Sequence, residues 1–304
     1  LTEADGVLGG GLAEAAEHYR ALGAGWSDLA RAALPEGAPL LGEARELIDG
    51  IDEAFFEQSG EAEKELRGMR TRLVELGDEL TVMDEVVFDA RRALDTLAAA
   101  PEVDGERRYL IGHSLGGAVL PRIPDSTTPV AGMVVMAGPT EPLPETIVRQ
   151  TEYVAGLAPS LDENQKQQIE EVRQQMKTVR EAIDGEGEPP SGYFMGAPVA
   201  YYADLEAHPP TELAARAGLP ILVLQGERDY QVTMDGFAPW RQALEGKDFA
   251  CLKSYPGLDH LFREGSGPSS PADYQAPAPV APEVISDIAA WILEGRCPKI
   301  PLHR

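Results

Sequence analysis

Gly112-His113-Ser114-Leu115-Gly116 sets a serine between two glycines. It follows the short apolar run Tyr109-Leu110-Ile111 at once and leads directly into Gly117-Ala118-Val119-Leu120. The run reads as a buried strand, and the segment after the serine as the first turn of a helix. On so sharp a strand-to-helix turn the hydroxyl stands exposed above the strand end. Glycines two before and two after the serine relieve the crowding that side chains would bring. The helix start also aims the backbone N–H of Leu115 at the place where charge would develop on an attacked carbonyl oxygen. The chemistry this serves is acyl transfer: the serine oxygen attacks, and a backbone donor holds the oxyanion.

A serine hydroxyl needs a base. The chain has five histidines. His113 adjoins the serine, and the turn points its side chain away from Ser114. His18 lies in an Ala/Glu-rich helical stretch, His208 precedes Pro209-Pro210 in a loop, and His303 is one residue from the C-terminus. His260 remains, in "YPGLDHLF", just past the apolar run from Phe249 to Tyr255. A loop at the C-terminal end of a strand is where a catalytic histidine emerges, so His260 is the expected base. The acid follows the same logic. "LPILVLQGERDYQV" reads as a strand running into a glycine-containing turn that carries Asp229. Asp229 would hold the imidazole of His260 in one tautomer and stabilise the imidazolium. Glu227 comes two residues too early, and Asp259 adjoins His260 and reaches its ring poorly.

With these residues in place, the segment from about 81 to 295 resembles bacterial α/β-hydrolases of the carboxylesterase and dienelactone-hydrolase-like type. The resemblance rests on "GHSLGG", "MAGP" at 136–139, "LVLQGERDYQV", "YPGLDHLF" and the closing helix "VAPEVISDIAAWI". The chain order Ser114, Asp229, His260 is that of α/β-hydrolases rather than of other serine-protease folds. The resemblance implies an α/β fold, a parallel sheet flanked by helices. It also implies carboxylic ester cleavage through an acyl-enzyme, with Ser114 as nucleophile, His260 as base and Asp229 as acid, and a helical cap inserted between two strands. Acyl transfer or peptide cleavage on the same triad is the alternative within enzymes. A catalytically degenerate binding module is the alternative outside them.

The elements that must position these residues are legible in outline. Residues 81–100 carry a helical stripe of Met83, Val86, Val87, Ala90, Leu94 and Leu97, with Thr81 and Asp84 at its start. "PVAGMVVMAG" reads as the second strand, "ILVLQG" as the third and "DFACLKSY" as the fourth, with helices near 115–122, 234–245 and 282–294 between and after them. The expected layout is a hydrolase core of 81–139 and 217–295, a helical cap at 140–216 and a tail at 296–304. In the cap, Ile169, Val172, Met176, Val179 and Ile183 form a narrow apolar stripe on an otherwise polar helix. A cover over the site and an interchain coiled contact both fit that stripe. Tyr193, Phe194, Tyr201 and Tyr202 come close together and are candidates for the substrate pocket, although packing of cap on core explains them equally.

Residues 1–80 depart from this pattern. They are rich in Ala, Glu, Leu and Gly, with helical stripes and few β-branched clusters, and read as a helical segment replacing or covering the family's first strands; strands supplied by another chain or a removed segment, and strands hidden by their composition, are the alternatives. That region normally supplies the second oxyanion donor, which is unidentified here. Gly9-Gly10-Gly11 offers backbone N–H groups but reads better as a linker. A four-stranded sheet with a bare edge would need a helix or a second subunit over it, which makes a homo-oligomer one expectation.

Net charge is −25, from 51 acidic and 26 basic residues. This argues against nucleic acid and anionic membranes as partners, while the resemblance implies a small-molecule ester as substrate. No apolar run is long enough for a membrane span. The His and Cys residues show no ligand spacing, so neither a metal nor another cofactor is expected. No signal peptide is visible, and the chain opens on Leu, which fits a processed start; cytoplasmic and secreted homes both stay open. In the hydrolase topology that the resemblance implies, Cys251 begins the strand before His260 and Cys297 follows the last helix, whose end returns toward the start of that strand, so the two thiols could meet. Two unpaired thiols are the favoured reading, a disulfide the alternative.

Overall fold

Four five- or six-residue strands, β1 (Tyr109–His113), β2 (Gly132–Met136), β3 (Ile221–Gly226) and β4 (Ala250–Tyr255), pair in chain order. Every pairing is parallel, with Ile111 opposite Val134, Val134 opposite Leu222 and Leu222 opposite Cys251. The computed structural model describes residues 72, 75–124, 129–187, 189–275 and 277–298. The chain divides into two units, residues 1–80 and 81–304. Of the first unit only the last turn is described, where Leu76 is buried and Arg72 pairs with Glu75 and Glu79. The helical reading of the rest of 1–80, and the Gly9-Gly10-Gly11 stretch, lie outside the described residues.

Burial along the strands follows from their place in the sheet. All six residues of β3 are buried, as expected for a central parallel strand covered on both faces. β4 alternates between half-buried and buried positions. β1 leaves Ile111 55% exposed, and among the described residues it is an edge strand.

Each strand sends alternate side chains to opposite faces. Met133, Val135, Ile221 and Val223 meet Leu94 of α1 (Phe88–Ala99), Ala214 of a later helix, and Phe237, Trp240 and Leu244. Val134, Leu222 and Leu224 meet Tyr255, Phe262, Val284 and Trp291 on the other face. α1 is entered through a π-helical turn, Met83–Val87. Asp84 there accepts from both the backbone N–H and the hydroxyl of Thr81, so the aspartate does the capping and not the threonine.

α2 (Leu115–Val119) follows the serine and passes into a 3-10 turn, Leu120–Arg122, at Pro121. Between β2 and β3 come α3 (Leu143–Gly156), α4 (Glu163–Ile183), α5 (Val199–Ala207) and α6 (Pro210–Ala217). The apolar stripe of α4 is covered inside this insertion: Met176 and Val179 are buried with Val199, Tyr202 and Leu143. An Asp162–Gln165 capping box starts α4 and satisfies two of its free N–H groups. α7 (Met234–Leu244) follows β3 and supplies Phe237, Trp240 and Leu244 to the first face, where the Trp240 indole N–H donates to Gly138 O at 2.9 Å.

α8 (Pro282–Glu294) starts on a proline, ends at Gly295 with φ 64°, and packs on the second face. The chain leaving α8 returns to the start of β4, and Cys251 and Cys297 form a disulfide with Cα atoms 5.4 Å apart. This corrects the favoured reading of two unpaired thiols. The pairing follows from where the last helix ends, which spacing along the chain does not reveal.

Candidate active site

Three non-glycine residues at the C-terminal ends of strands adopt left-handed backbone angles: Ser114 after β1 (φ 56°), Ala137 after β2 (φ 49°) and Phe262 in the loop after β4 (φ 56°). Such angles are costly for residues with a Cβ and persist only where the surroundings enforce them. At Ser114 the enforcement is visible. Its N–H donates to Met136 O at 2.9 Å, while its carbonyl accepts from Gly117 and Ala118, locking the turn between β1 and α2. Leu115 is the first residue of α2, so its N–H lies among those that have no partner within the helix.

Glycine is needed around the serine at particular places. A Cβ on Gly112 would stand 2.4 Å from Gly116 O, and one on Gly117 would stand 3.1 Å from Gly112 O and from the Cα of Gly138. A Cβ on Gly116 would meet nothing within 4 Å. The glycine two residues after the serine is thus not the crowded one; Gly117 is. Gly112→Ala is expected to destabilise the fold by about 3 kcal/mol through overpacking against backbone. Gly116→Ala should stay within about 1 kcal/mol of wild type, on the stabilising side because it lies in a helix. Urea-unfolding midpoints of the two variants check both values.

His260 and Asp229 come together from separate loops. His260 Nδ1 lies 2.7 Å from Asp229 Oδ2, and both residues are 4% exposed. A carboxylate only accepts, so Nδ1 carries the proton and Nε2 is left as the basic nitrogen. Asp229 is held in turn: Oδ1 accepts from the N–H groups of Gln231 (2.8 Å) and Val232 (3.0 Å), and Oδ2 from Gln225 Nε2 (3.2 Å). The acid turn presses on the histidine loop. A Cβ on Gly226 would come 2.5 Å from Leu258 O, and Arg228 N–H donates to that same carbonyl.

The rival carboxylates are engaged elsewhere. Asp259 accepts from the N–H groups of Leu261 and Arg263 and from the Arg263 side chain, which shapes the loop around His260. Glu227 accepts from Ser254 Oγ at 2.6 Å.

Ser114 reaches this pair through its neighbour. The His113 ring lies 4.6 Å from the His260 ring, and His113 Nε2 donates to His260 O at 2.8 Å. Burial pushes the His113 imidazolium below its ordinary pKa, and the bond to the carbonyl opposes this only in part. Among the described residues Ser114 Oγ has no hydrogen-bond partner. Links between nucleophile and base are often long in free enzymes and tighten with substrate.

A cavity of 220 Å³ opens beside Leu115. The face of α2 that carries Leu115, Ala118 and Val119 lines it, opposite Leu143 and Leu205. Arg122, also in its lining, is paired with Asp204 in a two-bond ion pair at 2.8 and 3.0 Å.

None of the four aromatic candidates is in the lining of that cavity, although Tyr201 packs on Val119, which is. Tyr193 is 57% exposed, and Phe194 forms a short antiparallel bridge with Ala197. Tyr202 is buried in the helical insertion with its hydroxyl on Phe194 O, and Tyr201 packs on Val82, Val87 and Val119. Among the described residues no group of His, Cys, Asp and Glu is placed to hold a metal ion, and no helix is long and apolar enough to cross a membrane.

Reading the sequence missed three contributors. Gln225 carries a signal, a polar residue at the end of an apolar strand. His113 points away from Ser114 by the geometry of the turn, yet its ring lies on His260 and donates to His260 O. Arg149 of α3, which donates to Tyr230 O and Gln231 O, carries no local signal.

Among known proteins, the alpha/beta hydrolase family matches residues 65–278. Esterase EstD of Thermotoga maritima is 32% identical over 217 residues, which cover 71% of this chain and 49% of EstD. The chain thus spans about half the length of that curated relative. Among solved structures, a monoacylglycerol lipase of Paleococcus ferrophilus is similar at a TM-score of 0.39 and 17% identity, covering 83% of this chain and 88% of the lipase. Est1E of Butyrivibrio proteoclasticus, solved with ferulic acid bound, has a TM-score of 0.38 and 12% identity, covering 60% of this chain and 62% of Est1E. With the match running through β1 to β4 and through Ser114, Asp229 and His260, the chain belongs to the alpha/beta hydrolase family.

Proposed function

We propose that the protein hydrolyses carboxylic esters through an acyl-enzyme on Ser114, with His260 as base and Asp229 as its acid partner. The observation that carries this reading is the buried 2.7 Å bond between His260 Nδ1 and Asp229 Oδ2, on a histidine loop that contacts the residue before a strained serine. Identity to an esterase supports the same chemistry.

In the first half of the reaction His260 Nε2 takes the hydroxyl proton as Ser114 Oγ bonds to the ester carbonyl carbon. The carbonyl oxygen becomes an oxyanion facing the Leu115 N–H, one of the donors such a centre needs. Collapse breaks the bond to the alcohol oxygen, which leaves with the proton from His260. In the second half a water gives a proton to His260 and attacks the acyl-enzyme, and collapse returns that proton to Ser114 Oγ and frees the acid.

The cavity beside Leu115 is the natural place for the acyl chain. A dry cavity of about 150 Å³ accepts benzene, so one of 220 Å³ suits acyl chains of about four to eight carbons. The test is turnover of nitrophenyl esters over a series of acyl lengths. The expected result is a maximum at short chains, with Leu205→Trp lowering kcat/KM for the preferred chain about tenfold while sparing acetate. Absence of turnover above background on every ester would sink the esterase reading. A length profile untouched by Leu205→Trp would remove the cavity from it.

A further inference from the structure

Asp229 is held by two peptide groups, and those same two groups are held from behind by one side chain. The Tyr230–Gln231 peptide donates its N–H to Asp229 Oδ1 at 2.8 Å, and its carbonyl, Tyr230 O, accepts from Arg149 at 2.9 Å. The Gln231–Val232 peptide donates its N–H to the same Oδ1 at 3.0 Å, and its carbonyl, Gln231 O, accepts from the other terminal nitrogen of Arg149 at 2.9 Å. A trans peptide is planar, with N–H and C=O pointing opposite ways, so gripping the carbonyl fixes the direction of the N–H. A guanidinium presents two parallel donors in a rigid fork, the geometry that two successive carbonyls require.

Arg149 is itself anchored. Its Nε donates to Glu141 Oε2 at 2.9 Å, and Glu141 Oε2 also accepts from Thr146 Oγ1. Along α3, Gln150 donates to Gln231 O at 2.9 Å, and the Tyr153 ring stacks on Tyr230 at 4.9 Å with 9° between the planes. One face of α3 therefore clamps the loop that carries the acid.

We propose that Arg149 is a positioning residue for catalysis. By fixing two peptide planes it aims the Asp229 carboxylate at His260 Nδ1, and its positive charge reinforces the two N–H dipoles that face that carboxylate. This rests on the assignment of Asp229 and His260 made above. It adds that the helix after β2, remote from the reacting atoms in sequence, sets the alignment of the acid.

The test compares wild type, Arg149→Met and Arg149→Lys on one nitrophenyl ester, with rates normalised to the fraction of protein labelled by a fluorophosphonate. Misalignment on the scale of an ångström costs about a hundredfold. Arg149→Met should therefore lower kcat by about that factor, with KM within about twofold. The acid limb of its pH–rate profile should move to lower pH, because a poorly aimed carboxylate supports the imidazolium less. Arg149→Lys keeps the charge and reaches one carbonyl, so it should recover about a tenth of the wild-type rate. A normalised kcat equal to wild type, or a reduced kcat with an unmoved acid limb, would overturn the proposal and leave Arg149 a structural clamp only. Ser114→Ala is assayed alongside: turnover that survives it would instead overturn the assignment of the nucleophile, and with it the role given to Arg149.

Discussion

Ser114→Ala lowers ester turnover by roughly 10⁶-fold if the serine is the nucleophile. The size of the effect follows from the division of labour. His260 has no proton to take without the hydroxyl, and Asp229 then supports a base with nothing to activate. Only the Leu115 N–H and substrate binding are left, which sustain a small residue of catalysis over water. The substitution itself is mild. Ser114 makes its structural contacts through backbone, by Met136 O to its N–H and by Gly117 and Ala118 to its carbonyl, and alanine retains all of them. A fold unchanged by circular dichroism together with abolished turnover is the expected pair of results. A loss of only tenfold would mean that another group attacks the ester.

Asp229→Asn has the second largest effect, about 10⁴-fold in kcat. An asparagine in this place keeps its oxygen for the two N–H groups of Gln231 and Val232, which turns its NH₂ toward His260 Nδ1 and Gln225 Nε2. His260 must then accept at Nδ1 and carry its proton on Nε2, where it cannot take one from serine. The NH₂ also faces the Gln225 amide donor, a mismatch that adds instability. Asp259→Asn is the matched control. Asp259 serves Arg263 and the backbone of the histidine loop, so its loss is expected to cost about 3 kcal/mol of stability with turnover per folded molecule close to wild type. Equal losses of turnover in the two variants would contradict the assignment of the acid.

What could be read from the sequence was what depends on neighbours along the chain. The strand, tight turn and helix around Ser114 announce themselves because a five-residue window holds both the glycines and the serine. The apolar run 221–224 of β3 betrays a strand buried on both faces, and with β4 it places Asp229 and the loop of His260 at one end of the sheet. Elimination among five histidines points to His260, which lies 2.7 Å from Asp229.

What could not be read depends on groups far apart in sequence. Arg149 lies 80 residues before Asp229, on a helix whose pattern reports only its own buried face. The Cys251–Cys297 bond depends on where the chain leaving α8 comes to rest. Tyr201 and Tyr202 looked like pocket walls because aromatics cluster there. Tyr202 is buried inside the helical insertion and Tyr201 in its packing on Val82, Val87 and Val119, while Ala118, Val119 and Leu205 line the cavity beside Leu115. Composition shows which residues are apolar but not which side of a helix faces a void.

The proposed chemistry requires an activated serine at 114, which covalent labelling detects. The protein would be incubated with a fluorophosphonate, digested, and the modified peptide mapped by mass spectrometry. Stoichiometric labelling on Ser114 that disappears in His260→Ala is the expected result. No labelling of folded wild-type protein, or labelling at another serine, would contradict it.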